Sequence, residues 1–183
     1  DIEGVTLSKK FRDMKEALSD VKFLIFIILL GLFFWLPFWS FFNLLAVYIN
    51  DHLNTANLYQ TVKGVLGETV ASVISNQKDG VWMINPEAIS HTGYIIILFQ
   101  VFVSRIFEKR PAISSFLFGL SVASAGFIVL GLSATMSASL VFLGVFLFAV
   151  GEMTSSPRIQ EYIMWFAPKE KAGLYMGTSF LAT

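Results

Sequence analysis

The stretch FLIFIILLGLFFWLPFWSFFNLLAVYIN, residues 23–50, contains no aspartate, glutamate, lysine or arginine in 28 residues. An α-helix rises 1.5 Å per residue, so about 20 apolar residues cross the roughly 30 Å hydrocarbon core of a bilayer. The stretch is long enough for one crossing, with room for tilt. It therefore predicts a membrane-spanning helix.

Further apolar runs follow along the chain. The run over 88–107 is interrupted only by Arg105, and the run over 111–151 has 41 residues without a charge. The second of these is too long for one helix, and a string of small and polar residues at 133–139 divides it. Barrel strands alternate apolar and polar residues, and these runs do not. Because lipid offers no partner for backbone N–H and C=O groups, the runs are predicted to be helices.

Composition agrees with this interpretation and excludes other classes. Hydrophobic residues make up 55% of the chain and charged residues 14%, whereas soluble domains carry about 25% charged residues. The net charge is zero, so no basic face for nucleic acid is expected. Cysteine is absent, which removes disulfide frameworks and thiolate metal sites.

The basic residues predict the orientation, because lysine and arginine accumulate on the cytoplasmic side of membrane proteins. Ten of them fall before the first span or in alternate connections, whereas the opposite side holds only Lys63 and Lys78. The ten are Lys9, Lys10, Arg12, Lys15, Lys22, Arg105, Lys109, Arg110, Lys169 and Lys171. We therefore expect the chain to start in the cytoplasm, with the plasma membrane or a bacterial inner membrane as its location.

The chain is thus expected to be all-α and to span the membrane several times. Leu58, Val62, Val65, Val70 and neighbouring apolar residues recur at helical spacing in the long second connection, which predicts a short amphipathic helix there. The predicted elements are a cytoplasmic linker helix (1–21), spans at 22–49, 87–107, 112–133 and 139–166, an extracytoplasmic loop (50–86) and the start of a fifth span (172–183). Both ends are expected to be cuts in a longer transporter.

Glu152 is the leading candidate for a functional residue. It follows Leu140 by twelve residues, which is about 18 Å by helical rise and places it near the middle of the bilayer. An ionisable group at that depth is costly and needs a reason. Pro157 removes a helix hydrogen bond to Met153 and is expected to bend the helix beside the carboxylate. The combination suits a site for a cation, an amine or a proton; the alternative is a permanent pair with a basic residue of another helix.

The first span contributes a stripe of candidate lining residues. Trp35, Trp39 and Asn43 are spaced four apart and so share one helix face, with Pro37 among them as an expected kink. Such a stripe suits the wall of a polar cavity. Packing or anchoring at the membrane interface is the alternative.

Two other polar pairs carry weaker hypotheses. Arg158 and Glu161, at i and i+3, are explained by a local ion pair or by a role in closing an inner gate. Glu87 and His91 are spaced like metal ligands, but a third ligand is lacking and solvent exposure is the preferred explanation. No phosphate-binding loop or nucleophile motif is present, so no enzyme activity, cofactor or metal is expected.

Several segments resemble proton-coupled oligopeptide transporters, a family of the major facilitator superfamily. The helix-ten stretch Gly151–Pro157 (GEMTSSP) is similar to that family's Gly-Glu pair with Ser-Pro four residues after the Glu. The other similar segments are Ala167-Pro168, Met176–Leu181 (MGTSFL), Phe38–Asn43 (FWSFFN), Asn85-Pro86 and the basic loop Arg105–Pro111.

The resemblance implies the C-terminal half of a major facilitator bundle, helices seven to ten plus the start of eleven. Helices one to six of the same chain would then be its partners, beside the lipid bilayer. It also implies that Glu152 faces the central cavity and contacts a peptide's amino terminus, with Ser156 and Pro157 in the adjoining motif. The chain departs from the family at Asn43, Leu44 and Leu45, where the family usually has an aspartate and two glutamines.

The function predicted from the sequence is proton-coupled uptake of di- and tripeptides by alternating access. Protons and a small-molecule substrate would be its ligands. The first alternative is a major facilitator of another substrate class, such as a drug, a sugar or an organic anion, and the departure at Asn43 favours it. The second alternative is a membrane scaffold or sensor without transport activity.

Overall fold

A computed structural model describes residues 7–183, and four of its helices are long and apolar enough to cross a membrane. These helices cover Val21–His52, Pro86–Phe107, Ala112–Ser133 and Leu140–Phe166. The predicted all-helical, multi-pass membrane class is confirmed at this level. Two compact units make up the described chain: one runs up to Trp39 and resumes over Pro157–Thr183, and the other is Ser40–Ser156.

The first span consists of α2 (Val21–Leu30), one π-helical turn (Gly31–Trp35) and α3 (Leu36–His52). The backbone N–H of Leu36 donates to the carbonyl of Gly31, five residues earlier. Pro37 has no N–H to continue the ordinary pattern, and its ring needs space beside the preceding turn. The wider turn supplies that space, so the irregularity expected at Pro37 takes the form of a π-bulge directly before it.

In the first unit, α1 (Leu7–Leu18) packs against α10 (Ala172–Ser179). Asp20 caps α2 by accepting from the backbone N–H of Lys22, at 3.0 Å, and it also accepts from the Tyr175 hydroxyl, at 3.3 Å. The ring of Tyr175 lies 4.4 Å from that of Phe23. A capping carboxylate and a buried aromatic pair therefore fix the start of the first span to α10.

In the second unit, α8 (Ala112–Ser133) and the first part of α9 (Leu140–Phe166) approach each other through glycines. A Cβ atom built on Gly151 would stand 2.6 Å from the Ala123 nitrogen, and one on Gly126 would stand 2.9 Å from the Gly144 carbonyl oxygen. Small residues let two helix backbones come this close in lipid. We call this contact, with Gly119, the glycine seam.

The part of α3 that follows Trp39 packs on α8 and α9. Phe41 stacks face to face on Phe148, with ring centroids 3.7 Å apart. The Tyr48 hydroxyl donates to the carbonyl of Leu130, at 2.7 Å, and lies 3.1 Å from the Ser133 hydroxyl. Three helices of the second unit are thus joined by an aromatic stack and the part-buried Tyr48 hydroxyl.

The second span is interrupted near its start. Asn85 caps α6 (Pro86–Ser90), His91 has extended backbone angles, and α7 (Gly93–Phe107) begins after Thr92. The sequence predicts one continuous helix over 87–107, but the chain breaks at His91. Glu87 and His91 therefore do not share the face of a single helix.

The segment between the first two spans forms a small subdomain, which we call the connector (54–85). It contains α4 (Thr55–Leu66), α5 (Glu68–Val73) and a hairpin of β1 (Ser75–Lys78) and β2 (Val81–Ile84). Gly67, with φ of 86°, ends α4, so the single amphipathic helix predicted here is two. Asp79 and Gly80 both have positive φ, as a two-residue hairpin turn of type I′ requires. The hairpin packs on α4 through a stack of Trp82 on Tyr59.

Candidate functional site

Glu152 lies in the middle of α9 and is half-buried. Its Oε2 accepts a hydrogen bond from the hydroxyl of Thr92, at 3.3 Å. Thr92 is 2% exposed and belongs to the break before α7. The structure therefore gives the candidate carboxylate one neutral donor from a neighbouring span.

The break in the second span explains how Thr92 reaches α9. His91 adopts φ of −82° and ψ of 108°, which ends α6 and sets the direction of α7. The carbonyl of Thr92 accepts from the N–H of Ile96, so Thr92 is fixed at the start of α7. Glycine at position 93 leaves room for the His91 ring, because a Cβ atom there would lie 3.2 Å from a ring carbon of His91.

Other hydroxyls near Glu152 are engaged elsewhere. Thr154 and Ser155 donate to the carbonyls of Val150 and Gly151, four residues earlier, at 2.8 and 2.7 Å. Among the side chains that the structure describes, the recorded partner of the Glu152 carboxylate is the Thr92 hydroxyl, and the recorded ion pairs join other residues. A carboxylate in this setting can hold a proton or attract a cationic group, and a neutral hydroxyl alone is poor compensation for its charge.

The remaining predicted site residues divide between the two units. Ser156 is half-buried and Asn43 is exposed, and both belong to Ser40–Ser156 with Glu152. Asn43 lies on α3, and Glu152 lies on α9. A shared site for these two residues stays a prediction.

Trp35 and Trp39 belong to the other unit and are held by neighbouring aromatic rings. Each packs edge-on against Phe38, with ring centroids 5.4 and 5.5 Å away. The Trp35 Nε1 atom is buried without a hydrogen-bond partner among the described residues. Trp39 is 47% exposed. An aromatic cluster is therefore present, and its role in lining a cavity stays a prediction.

The other polar pairs have simple local explanations. Arg158 and Glu161 form the local ion pair expected within α9, and their role in a gate stays a prediction. Pro157 lies inside α9, which continues as a helix through it. The described residues contain no group of three or more histidine, aspartate or glutamate side chains that could hold a metal.

Thr92 is the functional candidate that the sequence argument missed. A threonine followed by glycine in an apolar run does signal a possible helix start. However, only the three-dimensional packing shows that this hydroxyl faces Glu152, sixty residues later. Comparison of the chain with family models, curated proteins and solved structures gives no match. The resemblance to peptide transporters accordingly stays a hypothesis.

Proposed function

We propose that this chain is part of a secondary active transporter in which Glu152 binds the coupling proton or a substrate amine. The observation that carries the proposal is a half-buried carboxylate, midway along a membrane-length helix, whose partner is the neutral Thr92 hydroxyl. A carboxylate kept only for structure would be expected to pair with a basic side chain. One that must take up and release a cation needs a partner that leaves its charge uncompensated.

Local backbone irregularity supports the same proposal. Pro157 follows Glu152 by five residues, and the break at His91 adjoins Thr92. Transporters place binding groups at interrupted helices, because freed backbone groups there are available to ligands. The Thr92 partner of the Glu152 hydrogen bond therefore lies at an interruption of a membrane helix.

For the substrate we propose di- and tripeptides, carried with protons into the cell. Support comes from the resemblance of residues 151–157 to the peptide-transporter motif, in which the glutamate contacts the peptide amino terminus. This proposal makes the chain the C-terminal half of a larger helical bundle, with its first described residues in the cytoplasm. Asn43 in place of the family's aspartate favours the second candidate, a related transporter of a drug, a sugar or an organic anion.

The test is uptake of a labelled dipeptide by the full-length protein in liposomes, with and without an inward proton gradient. We expect gradient-stimulated uptake that unlabelled di- and tripeptides compete away. Glu152→Gln should abolish the gradient-driven part, because the amide can neither bind a proton nor neutralise an amine. Glu161→Gln is the matched control: it makes the same change on the same helix, in a carboxylate that pairs with Arg158.

The outcomes separate the candidates. Undiminished uptake by the Glu152→Gln variant would refute the role of this carboxylate. Uptake of another solute class, without any peptide transport, would support the second candidate. A scaffold or sensor would show no uptake of any solute tested, and its Glu152 would not react with a carbodiimide.

A further inference from the structure

The connector exposes aliphatic side chains on both of its helices. On α4, Leu58 and Val62 are buried, but the same stripe continues to Val65 and Leu66, which are 77% and 59% exposed. On α5, Val70 and Val73 lie three residues apart on one side, and Val73 is 80% exposed. We call Val65, Leu66, Val70 and Val73 the aliphatic edge. Clustered exposure of this kind marks an interaction surface.

Short links hold the connector at the end of the membrane helices. Two residues separate α3, which ends at His52, from α4, which begins at Thr55. On the other side, only Asn85 separates β2 from α6. A residue spans at most about 3.6 Å, so the first and last residues of the connector stay within roughly 10 Å of the ends of the two spans.

One contact shows which side of α4 faces the membrane helices. The hydroxyl of Thr61 lies 3.3 Å from that of Ser139, the residue directly before α9. Val65 is one helical turn after Thr61 and therefore lies on the same side of α4. That side meets the α8–α9 connection at Thr61 and is uncovered, among the described residues, at Val65.

We propose that the aliphatic edge lies in the boundary between headgroups and acyl chains of the bilayer and anchors the connector there. Lipid is the surface that surrounds the ends of membrane helices, and the edge continues from a contact with those ends. Amphipathic helices bury their apolar face about 5–10 Å into this boundary. Lys63, just before the edge in the sequence, and Glu68, between its two parts, pair with each other at 2.8 Å, so neither charge stands alone beside the edge.

The test uses spin labels, and the absence of cysteine from the sequence lets single cysteines be introduced. Labels at Val73→Cys and Val65→Cys are compared with one at Gln60→Cys, an exposed position on the polar side of α4. The full-length protein is reconstituted in phosphatidylcholine vesicles, and collisions are measured with oxygen, which enriches in lipid, and with a water-soluble nickel complex. We expect an oxygen-to-nickel collision ratio several-fold higher at both edge positions than at Gln60→Cys.

Two results would overturn the proposal. Ratios at the edge equal to the ratio at Gln60→Cys would place the edge in water. Exclusion of both oxygen and nickel from Val65→Cys and Val73→Cys would mean that protein covers the edge, either a second copy or another part of the assembly. The measurement needs no substrate and no gradient, so its outcome is independent of the proposed transport function.

Discussion

The glycine seam and the connector belong to the same compact unit but are built in opposite ways. The seam joins α8 to α9 at glycines: Gly119 and Gly151 have no Cβ, so the two backbones can approach closely. The connector depends on what its side chains add: Asn54 caps α4, and Trp82 stacks on Tyr59. The seam lies within candidate membrane spans, and the connector lies outside them.

This difference follows from the surroundings of each region. Lipid is as apolar as a leucine side chain, so burying apolar groups there gains little and close backbone packing decides association. Outside the hydrocarbon, water competes for every hydrogen bond, so caps, turns and buried apolar area decide. We therefore expect an added methyl group to harm the seam and a changed turn or cap to harm the connector.

The largest effect is expected from Gly151→Ala. The new Cβ would stand 2.6 Å from the backbone of Ala123 and Gly119, so the two helices must separate. Overpacking of this kind costs about 1–3 kcal/mol of unfolding free energy. Gly131→Ala, on α8, is the matched control, because the described residues leave open space around its Cβ. Titration of the purified protein with sodium dodecyl sulfate measures both; equal losses for the two variants would contradict the packing argument.

A smaller effect is expected from Gly80→Val in the hairpin turn. Gly80 has φ of 79°, which a β-branched residue adopts at a cost of about 1–2 kcal/mol. The loss should be local, so hydrogen exchange of the amides of β2 should speed up while the amides of α8 keep their protection. Gly80→Asn is the control, since asparagine tolerates positive φ. Faster exchange throughout α8 in the Gly80→Val variant would mean that the connector and the membrane helices unfold together.

The same turn shows what the sequence can predict. The Asp79-Gly80 pair, followed by Val81 and Trp82, is a strong hairpin signal, but the sequence prediction rests only on the helical spacing of apolar residues before it and misses the hairpin. The four long apolar helices are predictable because their runs contain few charges over lengths that only a membrane accommodates. A helix break at a single residue, such as the one at His91, does not change the composition of the apolar run and so is not predicted from it.

The candidate site was predictable only in part, for a related physical reason. Glu152 is conspicuous because a carboxylate is rare at that depth, so the sequence alone identifies it. Its partner Thr92 is a common residue in membrane helices, and the α6–α7 break that aims its hydroxyl at Glu152 depends on packing. A hydrogen-bond partner from a distant part of the chain can be identified only from the three-dimensional structure. A charged residue that is costly to place in a membrane can be recognised from the sequence alone.

The smallest effect is expected from Glu68→Gln in the connector. The hydrogen bond from Lys63 to Glu68 raises the pKa of Lys63 above its usual value, so the pair stabilises the fold at neutral pH and loses that contribution only in strongly alkaline solution. The Lys63 and Glu68 side chains are 40% and 70% exposed, however, and ion pairs open to solvent contribute little and are screened by salt. Glu68→Gln should therefore lower the Lys63 pKa, measured by NMR of a labelled lysine, without a detectable change in thermal stability. A clear loss of stability would show that the connector depends on charge more than on its cap and aromatic stack, and would weaken the contrast with the seam.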